Sequence, residues 1–314
     1  MKYKYINILA ICSALLFVSF SCTKDNQPED KYYAPVSETG KKVYAADLVN
    51  RIYTDTTFLV APGVEETDVH FQTMNGWIVR AYIIKADTRT PGLQLRVCVP
   101  GGVEEYYQGR QKLTGMADVY DAPGSRVVAM INGDFWDTGI LVPRGPIHSN
   151  GHIINQVFNY SERVPQQALS YFAVTDTGTM TVDFKDSYYS VQSTLKEVTG
   201  AGVVLVKDGS IPKIDNKWTA RDPRTSIGYD KEGNVYFLVA DGRQDFLSYG
   251  LTYAEMSSIF VSLGCEGAAN LDGGGSAEMM IRHPIARTWQ VRNSPSDGTE
   301  RAVFNGWMIT VDEP

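Results

Sequence analysis

Short apolar runs closed by turn residues dominate this chain, and that pattern commits it to a strand-rich fold. Strands are expected over 77–86, 93–99, 126–131, 168–175, 179–184, 203–207, 225–229, 235–240, 268–271 and 302–311. Among the connecting segments, "DTGT", "KDGS" and "DKEGN" carry the Asp, Asn and Gly that suit tight turns. The runs 225–229 and 235–240 around "DKEGN" read as a hairpin. One stretch has a clear helical period: in "LTYAEMSSIFVSLG", Tyr253, Met256, Ile259, Phe260 and Leu263 share a face. Thr252 is placed to cap this helix, Glu255 to complete a capping box and Gly264 to stop it. A shorter helix is expected over 190–197. Together these elements give an α+β fold, with mixed, largely antiparallel sheets and a few helices packed on them.

The first residues stand apart from that pattern. Lys2 and Lys4 precede an apolar run over 6–20, too short for an ordinary membrane span, which ends in "SFSC". This resembles a lipoprotein signal over 1–22, with Cys22 as the lipidated residue, although Ser19 stands where a leucine-like residue is usual; an ordinary secretory signal is the alternative. Residues 23–45, polar and carrying Pro28 and Pro35, read as a tether. A single domain would then occupy 46–314, anchored by lipid alone at a bacterial cell envelope. Cys98 and Cys265 remain, too few for a disulfide framework, and are expected as buried small hydrophobes. A net charge of −7 without a block of Lys and Arg argues against nucleic acid as a partner.

Four segments share one grammar: an apolar strand, then a carboxylate, amide or guanidinium, then glycine. They are "INGDFWDTGILVPRG" (131–145), "RDPRTSIGYD" (221–230), "LVADGRQDFLSYG" (238–250) and "NLDGGGSAEMM" (270–280). Polar strand ends converging on one place would build an anion-binding pocket, with glycines letting backbone approach a ligand. A P-loop and a nucleophile elbow are absent, and the triple glycine lacks the context of a dinucleotide fold. His148 and His152 are four apart, but Pro146 and Gly151 argue against a helix that would align them on a metal. Asp134, Asp241 and Asp272 have the hard oxygen ligands that calcium or magnesium takes, although no cofactor is required by this reading.

Taken with the terminal "RAVFNGWMI", these segments resemble the phosphodiester glycosidase family in order and spacing, most strongly over 126–309. The matching positions are Asn132, Gly133, Gly145, Arg224, Thr225, Asp241, Gly242, Arg243, Gly250, Glu255, Asp272 to Ser276, Arg301 and Asn305. Two departures border the presumed site: Asp134 replaces a common glycine, and Ala277 with Glu278 replace a hydroxyl and a threonine-like residue. The resemblance implies hydrolysis of a sugar-1-phosphodiester, of the N-acetylglucosamine-1-phosphate type, at the glycosidic bond.

The chemistry then needs a carboxylate for an oxocarbenium-like centre and guanidinium groups for the departing phosphate. Asp272 is expected as nucleophile or base, with Asp241 as its partner or as a binder of sugar hydroxyls. Arg224 and Arg243 are expected to clamp phosphate, and the amides of Gly273, Gly274, Gly275 and Ser276 to form an anion nest. Asn132 and Thr225 are expected to contact substrate, with Arg144, Asp134 and Glu278 as further site residues. Glu255 is a further candidate whose capping role competes with catalysis. Two other functions share the sequence features: a metal-assisted phosphodiesterase cutting the P–O bond, and a noncatalytic glycan binder using Trp136, Trp218 or Trp289.

Overall fold

The computed structural model describes residues 34–106, 109–122 and 125–312. The signal, Cys22 and most of the expected tether lie outside these residues. The tether expected to reach residue 45 ends sooner, because Glu38–Ala45 form a helix capped by the Ser37 side chain. Ser37 and the Glu38 carboxylate in the first turn supply the local reason.

Three antiparallel sheets carry the fold. The largest has seven strands, in the order Val49–Ala61, Val64–Thr73, Ile78–Asp87, Asn234–Ala240, Arg224–Asp230, Cys265–Asn270 and Val204–Lys207. A five-stranded sheet orders Met180–Phe184, Ser170–Thr175, Leu195–Ala201, Ile147–Ser149 and His152–Asn155. Another orders Trp289–Val291, Met279–Arg282, Ser125–Asn132, Gly306–Asp312 and Leu93–Cys98. All three contribute to one core, in which Ile84, Ile131, Phe172, Phe237 and Trp307 are buried. The other face of the seven-stranded sheet is covered by the Tyr253–Leu263 helix, whose Met256, Ile259, Phe260 and Leu263 form part of a second core. Sequence and structure therefore agree on an α+β fold with sheets that are antiparallel in every described pairing.

Local expectations fare unevenly. The hairpin around "DKEGN" forms in register, Arg224 opposite Ala240 and Tyr229 opposite Val235. The Thr252–Glu255 capping box is present, and Gly264 ends the helix with φ of 91°. Cys98 and Cys265 are both buried thiols. The helix expected over 190–197 is displaced: Lys185–Val191 is helical, while Leu195–Ala201 is a strand in the middle of a sheet. Burial of its Val198 and Ala201, together with ladder bonds on both sides, outweighs local preference there. The long hairpin Val49–Ala61 with Val64–Thr73 was not foreseen, because its outer strand is rich in Asn, Asp and Thr.

At one contact the Leu195–Ala201 strand and the bend at Gly145 approach closer than side chains allow. A Cβ on Gly145 would stand 2.5 Å from the Gly200 Cα, and one on Gly200 would stand 2.5 Å from the Gly145 Cα. Gly200→Ala is therefore expected to destabilise the domain by about 2 kcal/mol or more, as overpacking does. Urea unfolding would measure it, and an unchanged midpoint would refute this account.

Candidate functional site

The Cys265–Asn270 strand carries the chain to a seam between two sheets. Leu271 N–H donates to the Thr225 carbonyl at 2.8 Å, on the seven-stranded sheet. Asp272 N–H donates to the Gly133 carbonyl at 3.0 Å, just beyond the Ser125–Asn132 strand. Asn132 closes the seam: its Nδ2 donates to the Asp272 carbonyl at 2.7 Å. Its Oδ1 accepts from the Thr225 hydroxyl at 2.7 Å and from Glu278 N–H at 3.0 Å. Asn132 and Thr225 are fully buried, so these two expected substrate contacts instead hold the backbone of the loop.

Three different constraints select the three glycines. A Cβ on Gly273 would lie 2.5 Å from the Pro223 carbonyl oxygen, and Gly274 has a left-handed φ of 59°. A Cβ on Gly275 would collide with the Arg301 guanidinium and the Asp297 carboxylate. The expected anion nest is largely spent internally. Gly274 N–H donates to the Pro223 carbonyl and Ser276 N–H to the Gly273 carbonyl, while Gly273 N–H faces the Asp272 carboxylate. A turn this tight uses its own amides to close itself.

The loop floors a cleft of about 220 Å3, lined by Asp272 and Gly273–Gly275, by Arg224, Arg243 and Arg301, and by Asp222, Tyr253, Phe135, Gln166 and Gln167. Arg224 is buried and rigid: Nε donates to the Leu251 carbonyl (3.0 Å), Nη1 to the Tyr253 hydroxyl (3.0 Å) and Nη2 to the Ala220 carbonyl (2.8 Å). Arg243 is half exposed and pairs with Asp222 at 3.0 Å. Arg301 pairs with Asp297 at 2.7 Å and donates to the Ser276 hydroxyl at 3.3 Å. Three guanidinium groups thus surround a single stretch of bare backbone.

Burial pushes the Asp272 carboxyl up to about 6. A hydrogen bond from Ser276, the charge of Arg301, the Gly273 amide and a bond from Trp136 all pull it back down. Asp134 lies behind it, fully buried. Burial raises this second carboxyl to about 8, opposed by the Phe135 and Gly145 amides and reinforced by the negative charge of Asp272. Asp134 therefore holds its proton at neutral pH while Asp272 gives its proton up.

Other expected site residues are placed elsewhere. Asp241 does not line the cleft; its Oδ1 accepts Ser294 N–H at 2.7 Å inside the protein, and burial raises it to about 6. Arg144 binds Asp137 at 2.9 Å and the Asn159 carbonyl at 2.8 Å, also away from the cleft lining. Glu255 serves the capping box and pairs with Arg221. Glu278 is buried against Glu300, and burial first, then that neighbouring acid, raise it to about 9. Among the described residues no cluster of three or more His, Cys, Asp or Glu side chains is disposed to hold a metal, so Asp134, Asp241 and Asp272 do not form a shared ligand set. His148 is bonded to the Tyr188 hydroxyl at 2.6 Å in a buried aromatic cluster.

The tryptophans are likewise dispersed. Trp136 bonds Asp272 and lies under Arg110, Trp218 packs near Tyr253, and Trp289 donates to Asp118. Sequence reasoning gave no role to Arg301, although it stood at a matching position, and overlooked Asp222, Gln166, Gln167 and Tyr253. Asp222 lay in plain view two residues before Arg224; the paired glutamines carried no motif.

A family model described as phosphodiester glycosidase matches residues 125–310. The SPbeta prophage-derived uncharacterized protein YomE of Bacillus subtilis is 36% identical over 118 residues, 36% of this chain and 17% of that protein. Mouse N-acetylglucosamine-1-phosphodiester alpha-N-acetylglucosaminidase is 36% identical over 78 residues, 25% of this chain and 14% of that protein. These matched stretches are thus small parts of both relatives. Among solved structures, the zebrafish N-acetylglucosamine-1-phosphodiester alpha-N-acetylglucosaminidase catalytic domain shares the fold, with a TM-score of 0.62 at 19% identity over 83% of this chain and 89% of that one. A hypothetical protein from Synechocystis aligns with a TM-score of 0.61 at 15% identity, covering 82% of this chain and 64% of that one. The family match takes in more than half of the chain, including the glycine loop and all three arginines of the cleft, and the protein belongs to the phosphodiester glycosidase family.

Proposed function

We propose that this protein hydrolyses a sugar-1-phosphodiester of the N-acetylglucosamine-1-phosphate type, breaking the bond between the anomeric carbon and the phosphate oxygen. One observation carries the reading: a carboxylate tuned to about 6 shares a small cleft with three guanidinium groups. The departing phosphate monoester is a weak base and needs its charge held more than it needs a proton. Arg224, fixed by three hydrogen bonds, and the more exposed Arg243 supply that charge from one wall, and Arg301 from beside Ser276. Asp272 acts from the floor as the nucleophile or as the base that activates water. In either role it must be ionised. The bonds from Ser276 and Trp136 orient its oxygens, and protonated Asp134 behind it adds no second charge near neutral pH. The signal-like sequence before Cys22 supports a lipid-anchored place at the cell envelope for this activity.

The direct test is hydrolysis of an N-acetylglucosamine-1-phosphodiester in oxygen-18 water. Label is expected in the free sugar; label in the phosphate would establish P–O cleavage instead, and binding without turnover would favour a lectin. Asp272→Asn is expected to lower kcat by about a thousandfold or more while leaving the fold intact. Because the ionised form is the active one, kcat/KM for the unaltered protein should fall as pH drops through about 6 and level off above it. A rate that is flat from pH 5 to pH 8 would remove Asp272 from the mechanism. Arg243→Ala is expected to raise KM about tenfold, the scale of one charge-assisted contact; unchanged KM and kcat would clear Arg243 of any role in phosphate binding.

A further inference from the structure

Two acids meet where the glycine loop leaves the cleft. Glu278 lies two residues beyond Ser276 and is 3% exposed. Its backbone is pinned by Asn132, whose side chain accepts the Glu278 N–H at 3.0 Å and whose own N–H donates to the Glu278 carbonyl at 3.3 Å. The Glu278 side chain is hydrogen-bonded to Glu300. Glu300 in turn holds the start of the Leu113–Tyr120 helix. Its Oε1 accepts the Thr114 N–H at 3.2 Å and its Oε2 the Thr114 hydroxyl at 3.0 Å. The Lys112 side chain at the N-cap makes no capping bond, so Glu300 supplies the cap from outside the helix. Both Glu300 oxygens are acceptors in these bonds, which leaves Glu278 to carry the hydrogen between the two acids. The Oε1 of Glu278 is buried with no hydrogen-bond partner, a poor place for an ionised carboxylate. Burial first, then Glu300, raise this carboxyl to about 9, with Lys112 opposing.

We propose that Glu278 is a positioning residue for the cleft, and that the single hydrogen it shares with Glu300 keeps Arg301 against the glycine loop. This rests on reading the cleft as a sugar-phosphodiester site, and it adds a group that acts there without touching the substrate. The connection runs along the chain. Glu300 directly precedes Arg301, whose guanidinium lines the cleft, pairs with Asp297 and donates to the Ser276 hydroxyl. Val303 and Gln111 exchange two backbone bonds, of 2.9 and 3.0 Å, so residues 300–303 are docked on the entry to the helix. Glu278 fastens that docked segment to the exit of the loop. Among the described residues, Glu300 and Lys112 are the charged groups that act on it. Loss of the shared hydrogen turns a bond into repulsion between two carboxylates. Glu278 is held in place by Asn132, so Glu300 is the acid that gives way, and Arg301 shifts with it. Glu278 is also one of the two departures from the family pattern beside the site, so this device belongs to this chain.

The test uses the full chain, an N-acetylglucosamine-1-phosphodiester and two variants. Glu278→Gln keeps a donor that cannot titrate, and Glu278→Ala removes the donor. Near neutral pH Glu278→Gln is expected to match the unaltered protein. Glu278→Ala is expected to raise KM about tenfold with kcat little changed, the scale of one charge-assisted contact weakened at Arg301. As pH rises through about 9, kcat/KM of the unaltered protein should drop toward that of Glu278→Ala, while Glu278→Gln holds its value. Asp134 titrates in all three proteins, so the difference between their profiles belongs to Glu278. Parallel profiles for the unaltered protein and Glu278→Gln, or an equal loss in both variants at neutral pH, would overturn the inference and leave the glycosidase reading intact. If Glu278→Ala does not fold, the profile of Glu278→Gln decides alone.

Melting temperature supplies a readout independent of catalysis. The folded value of Glu278 lies above the ordinary 4.5, so the stability it contributes is full at acid pH and is lost as pH rises to about 9. The unaltered protein should therefore lose melting temperature relative to Glu278→Gln between about pH 5 and about pH 9. A constant difference over that range would overturn the shared hydrogen. An unaltered protein inactive at every pH would instead overturn the reading of the cleft, and the positioning role with it.

Discussion

The hydrogen bonds of one buried side chain hold the site together. Asn132 ends a strand of one sheet, takes the hydroxyl of Thr225 from another, and fixes the backbone on both sides of the glycine loop through the Asp272 carbonyl and the Glu278 amide. An amide suits this work because it donates and accepts at once. Aspartate would place a second negative charge beside Asp272, and leucine would leave buried polar groups of three segments without partners. The loop has few amides free because Gly274 and Ser276 donate within the protein, and the positive charge at the cleft comes from the arginines around it.

Electrostatics in the cleft depend on pairing as much as on burial. Asp222 neutralises part of Arg243, and Asp297 part of Arg301, so these guanidinium groups are held in fixed orientations around the cleft. Arg224 is oriented mainly by carbonyls and the Tyr253 hydroxyl, with Asp222 more distant at 3.7 Å. Preorientation of this kind lowers the reorganisation that binding of any anion would require. Asp134 and Asp272 divide one task between them. Burial raises both acids, Asp134 to about 8 and Asp272 to about 6; Asp272 is pulled back by Ser276, Arg301, the Gly273 amide and Trp136, whereas Asp134 also feels the negative charge of Asp272.

Several elements were legible in the chain because their signals are local. The "DKEGN" hairpin, the capping box at Thr252 and the stop at Gly264 each depend on residues within a few positions of one another. The edge hairpin Val49–Ala61 with Val64–Thr73 was not legible, since a half-exposed edge strand carries polar residues that read as loop. Leu195–Ala201 was misread for the opposite reason: its strand character comes from the two sheet neighbours that bury it. Among the site residues, Asp241 and Asp272 look alike in sequence, each an acid before glycine at a strand end. Only packing separates them, one turned inward to Ser294 and the other onto the cleft.

By itself, the sequence determined the α+β class, the family resemblance and most of the segments from which the cleft is made, because strand periodicity, turn residues and motif spacing are written along the chain. Which of those segments' side chains reach the cleft was decided only in three dimensions. Asn132, Thr225, Arg144 and Glu278 turn into the scaffold, whereas Asp222, Arg301 and the paired glutamines are brought to Asp272 from loops distant in sequence. The physical reason is that the direction of a side chain at a strand end depends on the sheet packed against it, and that neighbour is supplied by residues far away along the chain.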